Sequence, residues 1–181
     1  MEVSVKLKGF EDAKRRLAAS SRKIDPVMRG ALNTTVSQTR KQRYVQPMSR
    51  SIKGKRLNAA LKIKRANSRN MNARIIPSSS GILVLNYKTW GMDKIDATRA
   101  RIWVIGSNGK KVAAGFINPS SSKKLPWSTR GKKARGGLRT AIGPSAAYWF
   151  KQLSRGNTIQ WINAFLEREF ARRVTKELNK P

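Results

Sequence analysis

Residues 99–117 read RARIWVIGSNGKKVAAGFI. Two strand-like runs flank Asn108-Gly109, a dipeptide that accepts positive φ at both centres of a type I′ turn. The pair predicts a β-hairpin, and pairing outward from it opposes Ile105 with Val112 and Trp103 with Ala114. Upstream, GILVLNY at 81–87 reads as a further apolar strand. Downstream, LRTAIGPSAAYWFKQL at 138–153 reads as a short strand, a Gly143-Pro144 break and a helical turn or two. Tyr148, Trp149 and Phe150 are assigned to the core, because three aromatics beside an apolar helix usually lie inside.

The ends of the chain change period. Val3, Val5 and Leu7 alternate with Ser4, Lys6 and Lys8, which predicts a strand ended by Gly9. Phe10, Ala13, Leu17 and Ile24 then share a helical face, with Glu11 and Asp12 in the first turn, where the helix dipole favours anions. Asp25-Pro26 announces a second helix, Asp25 as N-cap and Pro26 at the first position, with Val27, Ala31, Leu32 and Val36 as its stripe. Pro47 predicts its end near Gln46. A short helical piece is expected at 51–57. At the other end Trp161, Ile162, Phe165, Leu166, Phe170, Val174 and Leu178 recur at helical spacing from Thr158 to about Asn179, with Trp161, Phe165 and Phe170 as the anchoring stripe. The order of strand, two helices, antiparallel strands and a long amphipathic helix is α+β, read as one domain over residues 1–181.

Between these elements the charge is one-sided. The chain has 181 residues, 40 Lys plus Arg against nine acids, and a net charge of +31. No acid lies between Asp25 and Asp93, which enclose fourteen basic residues, and none between Asp96 and Glu167. Residues 53–74, KGKRLNAALKIKRANSRNMNAR, hold eight cations in 22 positions. Leu61 and Ile63 alternate with Lys62 and Lys64, and Met71, Ala73 and Ile75 with Asn72 and Arg74, predicting two strands joined by Asn67-Ser68-Arg69-Asn70. One side of such a ribbon packs on a core and the other carries cations. Lysines on a strand also discourage edge-to-edge aggregation, which does not account for the missing acids. Such a surface repels itself unless it meets nucleic acid or an acidic protein.

The same composition argues against catalysis. No cysteine excludes thiolate zinc sites, and no histidine removes the usual general base and the commonest metal ligand. The acids are too few and scattered for paired-carboxylate or two-metal chemistry. GSNGKK at 106–111 lacks the spacing of a phosphate loop and is explained by the hairpin turn. No catalytic residue, cofactor or metal site is expected. The first residues lack the apolar core of a signal peptide, and no run approaches the ~18 apolar residues of a membrane span, so a cytoplasm-like compartment is expected.

Residues 118–137, NPSSSKKLPWSTRGKKARGG, show no periodicity and read as a long flexible basic loop. Trp127 within it is read as an interface anchor, ahead of folding back on the sheet and of a platform for base stacking.

Taken in order, LKGFEDAKRRLAASSRKIDPVMRGALNTTVSQTRK at 7–41, LKIKRANSRNMNARI at 61–75, GFI at 115–117, IGPSAAYWF at 142–150 and INAFLEREFARRVTKEL at 162–178 resemble the succession of elements in bacteriophage minor tail protein Z and related tail-completion proteins. The resemblance spans nearly the whole chain and rests on succession, since no single motif is specific. It departs at 118–137, which is unusually rich in Ser and Lys. It implies a structural virion protein of the tail or neck, present in the host cytoplasm during assembly, that completes or joins the tail near the head–tail interface. It also implies a ring, taken as a hexamer, around the DNA channel, touching other tail or neck proteins and no membrane. Lys53, Lys55, Arg56, Lys62, Lys64, Arg65, Arg69 and Arg74 are then the expected contacts to double-stranded DNA, without sequence preference, or to an acidic partner. Lys123, Lys124, Trp127, Arg130, Lys132, Lys133 and Arg135 form the expected interface loop. Six copies at +31 each would neutralise ~300 Å of duplex at one charge per ~1.7 Å, several times a plausible ring height, so DNA is not the sole counter-charge. The alternative is a basic nucleic-acid-binding structural protein of the ribosomal type, which composition alone favours.

Overall fold

The computed structural model describes residues 9–19, 23–97, 99–128 and 139–180, and the fold is α+β. The strand expected at Val3–Leu7 lies outside the described residues. Helix α1 (Phe10–Ala19) buries Ala13 and Leu17. Ile24 is the first residue of α2 (Ile24–Thr39) rather than part of the α1 face, and Lys23, not Asp25, holds the N-cap position. Asp25 and Pro26 thus fall two positions further into the first turn, where amide N–H groups have no helical acceptor and proline is tolerated. Nor does the helix stop at Gln46: a π-helical segment, Arg40–Val45, leads into α3 (Gln46–Ser49). The wider π turn resets the register so that Pro47 stands in the first turn of the new segment, where its missing N–H is not needed.

Helix α4 (Gly54–Ala60) begins three residues later than expected and is followed by the paired strands β1 (Leu61–Lys64) and β2 (Arg74–Pro77). Pairing in the second strand starts at Arg74, not Met71. Strand β3 (Gly81–Leu83) is shorter than GILVLNY implies, because Val84–Asn86 is a 3₁₀ turn. Val84 and Tyr87 are both buried; a continuous strand would turn them to opposite faces, whereas a 3₁₀ turn eclipses i and i+3.

Strands β4 (Trp90–Lys94), β5 (Ala100–Gly106) and β6 (Gly109–Val112) form an antiparallel sheet. The hairpin is present, but its register differs by two residues: Gly106 pairs with Gly109, Ile105 with Lys110 and Trp103 with Val112. Of Asn108-Gly109 only the glycine takes positive φ, 91°, so the loop is closed by a single left-handed glycine rather than a type I′ pair. Strands β7 (Trp127–Ser128) and β8 (Arg139–Thr140) pair. Strand β9 (Ile142–Ser145) pairs with β3 and runs through Gly143-Pro144 without a break. Ser145 opposes Gly81 and Gly143 opposes Ile82, leaving Pro144 as the extra residue of a bulge, where its lost donor is harmless. Helices α5 (Ala146–Leu153) and α6 (Gly156–Leu178) complete the chain.

The described residues gather into two compact units. The first draws on Met1–Arg43, Ile63–Ile76 and Ser154–Pro181. Its core is Ala13, Leu17, Ile24, Val27, Ala31, Leu166, Phe170 and Val174 from α1, α2 and α6. Phe170 belongs to the anchoring stripe as expected, but Trp161 and Phe165 do not: they are half-buried and stack on each other at 5.0 Å. Leu166, Phe170 and Val174 follow i, i+4, i+8, and the Trp161–Phe165 pair lies one residue, about 100°, round the helix from that stripe.

The second unit, Tyr44–Lys62 and Pro77–Leu153, is centred on Trp149, Tyr87, Ile102, Val104 and Ile117. Trp149 Nε1 donates to the Tyr87 hydroxyl (2.9 Å), which donates to the Pro144 carbonyl (2.6 Å). Burial pushes the Tyr87 hydroxyl up to about 12, against the opposing hydrogen bond from Trp149. The indole lies on Gly106, where a Cβ would meet it at 2.1 Å. Of the three expected core aromatics only Trp149 is fully buried; Tyr148 and Phe150 are half-buried, the latter stacked on Tyr44 at 4.1 Å.

Candidate functional site

The cations expected to meet an anion divide between the two units. Lys53, Arg56 and Lys62 belong to the second, and Lys64, Arg65, Arg69 and Arg74 to the first; the side chain of Lys55 lies outside the described residues. Lys53 is committed in part, since its Nζ donates to the Leu85 carbonyl at 2.8 Å. Arg56 and Lys62 are exposed.

Only in the first unit are four of them organised by one device. Asn33 on α2 presents its side-chain amide to Ala66 as a second backbone would: Nδ2 donates to the Ala66 carbonyl (3.0 Å) and Oδ1 accepts from the Ala66 N–H (2.8 Å). Ala66 is thereby buried, 5% exposed, in a segment otherwise polar. The next residues close a turn in which the N–H of Asn67 donates to the Asn70 carbonyl (2.9 Å) and that of Asn70 to the Asn67 carbonyl (3.2 Å). Asn67 Oδ1 also accepts from the N–H of Arg69 (3.0 Å) and Asn70 (2.8 Å), and Asn70 Oδ1 from that of Asn72 (3.1 Å). Asn favours this local bonding because its short amide reaches the backbone two residues on.

The clamp and the turn tie down the backbone from 66 to 72. Burial still alternates from Met71 to Ile75 although strand pairing starts only at Arg74. The result is a ribbon with a held backbone on which Lys64, Arg65, Arg69 and Arg74 are all exposed to solvent. Asn67 and Asn70 read from sequence as members of the turn, whereas Asn33 is not singled out. Asn-Ser-Arg-Asn is a readable turn signal, whereas nothing in the pattern marks a bond from Asn33 across 33 residues.

On α6 a buried acid gathers two cations. Glu169, 8% exposed, accepts from Arg172 Nε (2.9 Å) and Nη2 (2.8 Å) and from Arg173 Nε (2.7 Å). Arg173 continues to the Thr34 hydroxyl on α2 at 2.9 Å. The Arg172 hydrogen bond, then that of Arg173, hold the Glu169 carboxyl below the usual carboxylate range against its burial. Asp93 takes Lys110 Nζ (2.9 Å) and the Trp103 indole N–H (2.9 Å), and Lys110 foremost holds its carboxyl low. Asp12, Asp96 and Glu177 pair with Arg15, Arg99 and Lys180. Among the described residues no acid pairs with Arg56, Lys62, Lys64, Arg65, Arg69 or Arg74.

The expected interface loop is partly ordered as strand. Trp127 is not on a structureless segment: it lies in β7, with Thr140 opposite on one side and a bridge to Phe116 on the other. Lys123 and Lys124 are exposed. Arg130, Lys132, Lys133 and Arg135 lie outside the described residues. Among the described residues no group of three or more His, Cys, Asp or Glu could hold a metal ion, and no helix is long and apolar enough to cross a membrane. Compared with protein-family models, characterised proteins and solved structures, the chain matches none.

Proposed function

We propose that this chain is a structural component of a tailed-bacteriophage virion, completing or joining the tail near the head–tail interface as part of a ring around the DNA channel. The observation that carries the reading is the anchored ribbon: four exposed cations held in place by Asn33 and the Asn67 turn, with no acid of the described chain set against them. A fold gains nothing internal from fixing like charges together, and like charges that cannot relax apart cost free energy until an anion arrives. A phosphate backbone threading a ring supplies that anion without sequence information. The charge of several copies exceeds what a ring-length of duplex neutralises, so the reading includes acidic neighbours in the tail or neck.

The test is a particle assembled without the protein. Micrographs of such lysates should show full heads and separate tails, and the parent chain supplied in trans should restore joined particles. Normal particles from the deletion would end the tail reading. Purification of the chain with ribosomal RNA rather than with tails would put a ribosomal-type protein in its place.

A further inference from the structure

A second surface lies on the other unit and does not depend on the tail reading. Phe116 and Trp127 exchange both backbone hydrogen bonds, at 2.7 and 2.8 Å, so their side chains stand next to each other on one face. Thr140 flanks Trp127 on the far side. Leu125 precedes Pro126, which keeps it extended, and being two residues from Trp127 it shares the face. The alternation is complete: Ile117, Pro126 and Ser128 are buried, whereas Leu125 and Phe116 are 36% and 40% exposed. An apolar row of Phe116, Trp127 and Leu125 therefore faces outward.

Its rim is a built corner. Asn118 Oδ1 accepts from the Ser120 N–H (2.9 Å), the Asn118 carbonyl from the Ser121 N–H (3.1 Å), and the Ser121 carbonyl from the Lys124 N–H (3.2 Å). Lys124 itself takes a left-handed φ of 41°, a conformation uncommon for a side chain of its size. Lys123 and Lys124 are thus delivered next to Leu125. The acid preceding this corner in sequence, Asp96, is bound to Arg99 at 2.6 Å.

We propose that this face docks an acidic protein segment carrying an apolar anchor side chain. The row buries the anchor, and the lysine corner selects the acidic flanks. A second copy laid row against row would set its own Lys123 and Lys124 against this corner. A duplex offers charge to the lysines but no unstacked apolar group for the row.

The probes are two dye-labelled 12-residue peptides of Glu and Asp, one with Leu-Phe at its centre and one with Ser-Ser, titrated against the full chain. The Leu-Phe peptide should bind at least about tenfold tighter, a ratio that reports the apolar seat alone. Phe116→Ser with Leu125→Ser should bring the ratio to about one, and Lys123→Ser with Lys124→Ser should weaken both peptides and flatten their salt dependence. Leu125→Ser alone, at an exposed position, serves should the double variant melt early. A ratio near one in the parent chain, or one that survives the apolar substitutions, overturns the proposal and leaves duplex binding by the ribbon untouched.

Discussion

Arg173 and Arg69 lie in the same unit and are used in opposite ways. Arg173 is half-buried, bound to Glu169 and Thr34, and closes α6 onto α2. Arg69 is exposed at the tip of a turn, and the bonds around it fix its backbone while leaving its guanidinium without an acid. Arg173 is given a carboxylate where it joins two helices; Arg69, its backbone held and its head given none, is left to meet something outside the fold. Among the described residues Glu169 is the one buried acid; the other ion-paired acids lie nearer the surface, and none is set against the ribbon.

The first way to break this comparison is to empty the helical side. Phe170→Ala removes a ring from the core of α1, α2 and α6, where it stacks on Phe10, and should cost ~3–5 kcal/mol, read by denaturant or thermal unfolding. Phe165→Ala, half-buried outside the stripe, should cost clearly less. Equal losses would show that the Trp161–Phe165 pair carries the helix.

Glu169→Gln should cost about 1–3 kcal/mol, because the arginines lose the negative charge and one of two acceptor oxygens, replaced by an NH2 donor. It should also change the acid limb of stability. The carboxyl's folded value is lowered, so its contribution is complete above about pH 4.5 and is lost as pH falls through the folded value. Stability followed from pH 6 downward should fall more steeply in the parent than in Glu169→Gln. Parallel curves would show that the pair is solvated and contributes little.

Asn33→Ala sharpens the contrast because it changes no charge. It leaves the Ala66 N–H and carbonyl without their clamp and should cost about 1–2 kcal/mol, while weakening duplex binding by loosening the ribbon. Unchanged binding would mean that the cations act without the backbone that holds them.

Much of the first unit was legible from periodicity: Ala13, Leu17, Val27, Ala31 and Phe170 carry a helical pattern, and their burial follows from it. The hairpin was legible from Asn108-Gly109, but its register turned on which of the two residues takes positive φ, a choice of about one backbone well that composition does not reveal. The π segment stayed hidden because Pro47 signals an end only where the α register is kept. The site was legible as charge and illegible as geometry. Lys64, Arg65, Arg69 and Arg74 stand out as cations, while the Asn33–Ala66 clamp is a single pair across 33 residues. Trp127 was misplaced for a related reason: pairing to Phe116 and Thr140 is long-range, and two-residue strands leave no period to detect.

The smallest effect on stability should come from the ribbon itself. Lys64→Ala, Arg65→Ala, Arg69→Ala and Arg74→Ala together should shift stability by no more than about 0.5 kcal/mol per site, as exposed residues without partners do. The direct test of their purpose is duplex affinity measured across salt concentrations for this variant, beside a control lacking four exposed cations elsewhere in the unit, Lys14, Lys41, Arg168 and Lys176. If the ribbon meets the phosphates, the slope of log affinity against log salt should fall by about 3–4 in the ribbon variant and by less than about 1 in the control. Equal losses in the two variants would show that net charge alone attracts the anion, and would contradict the ribbon as the site.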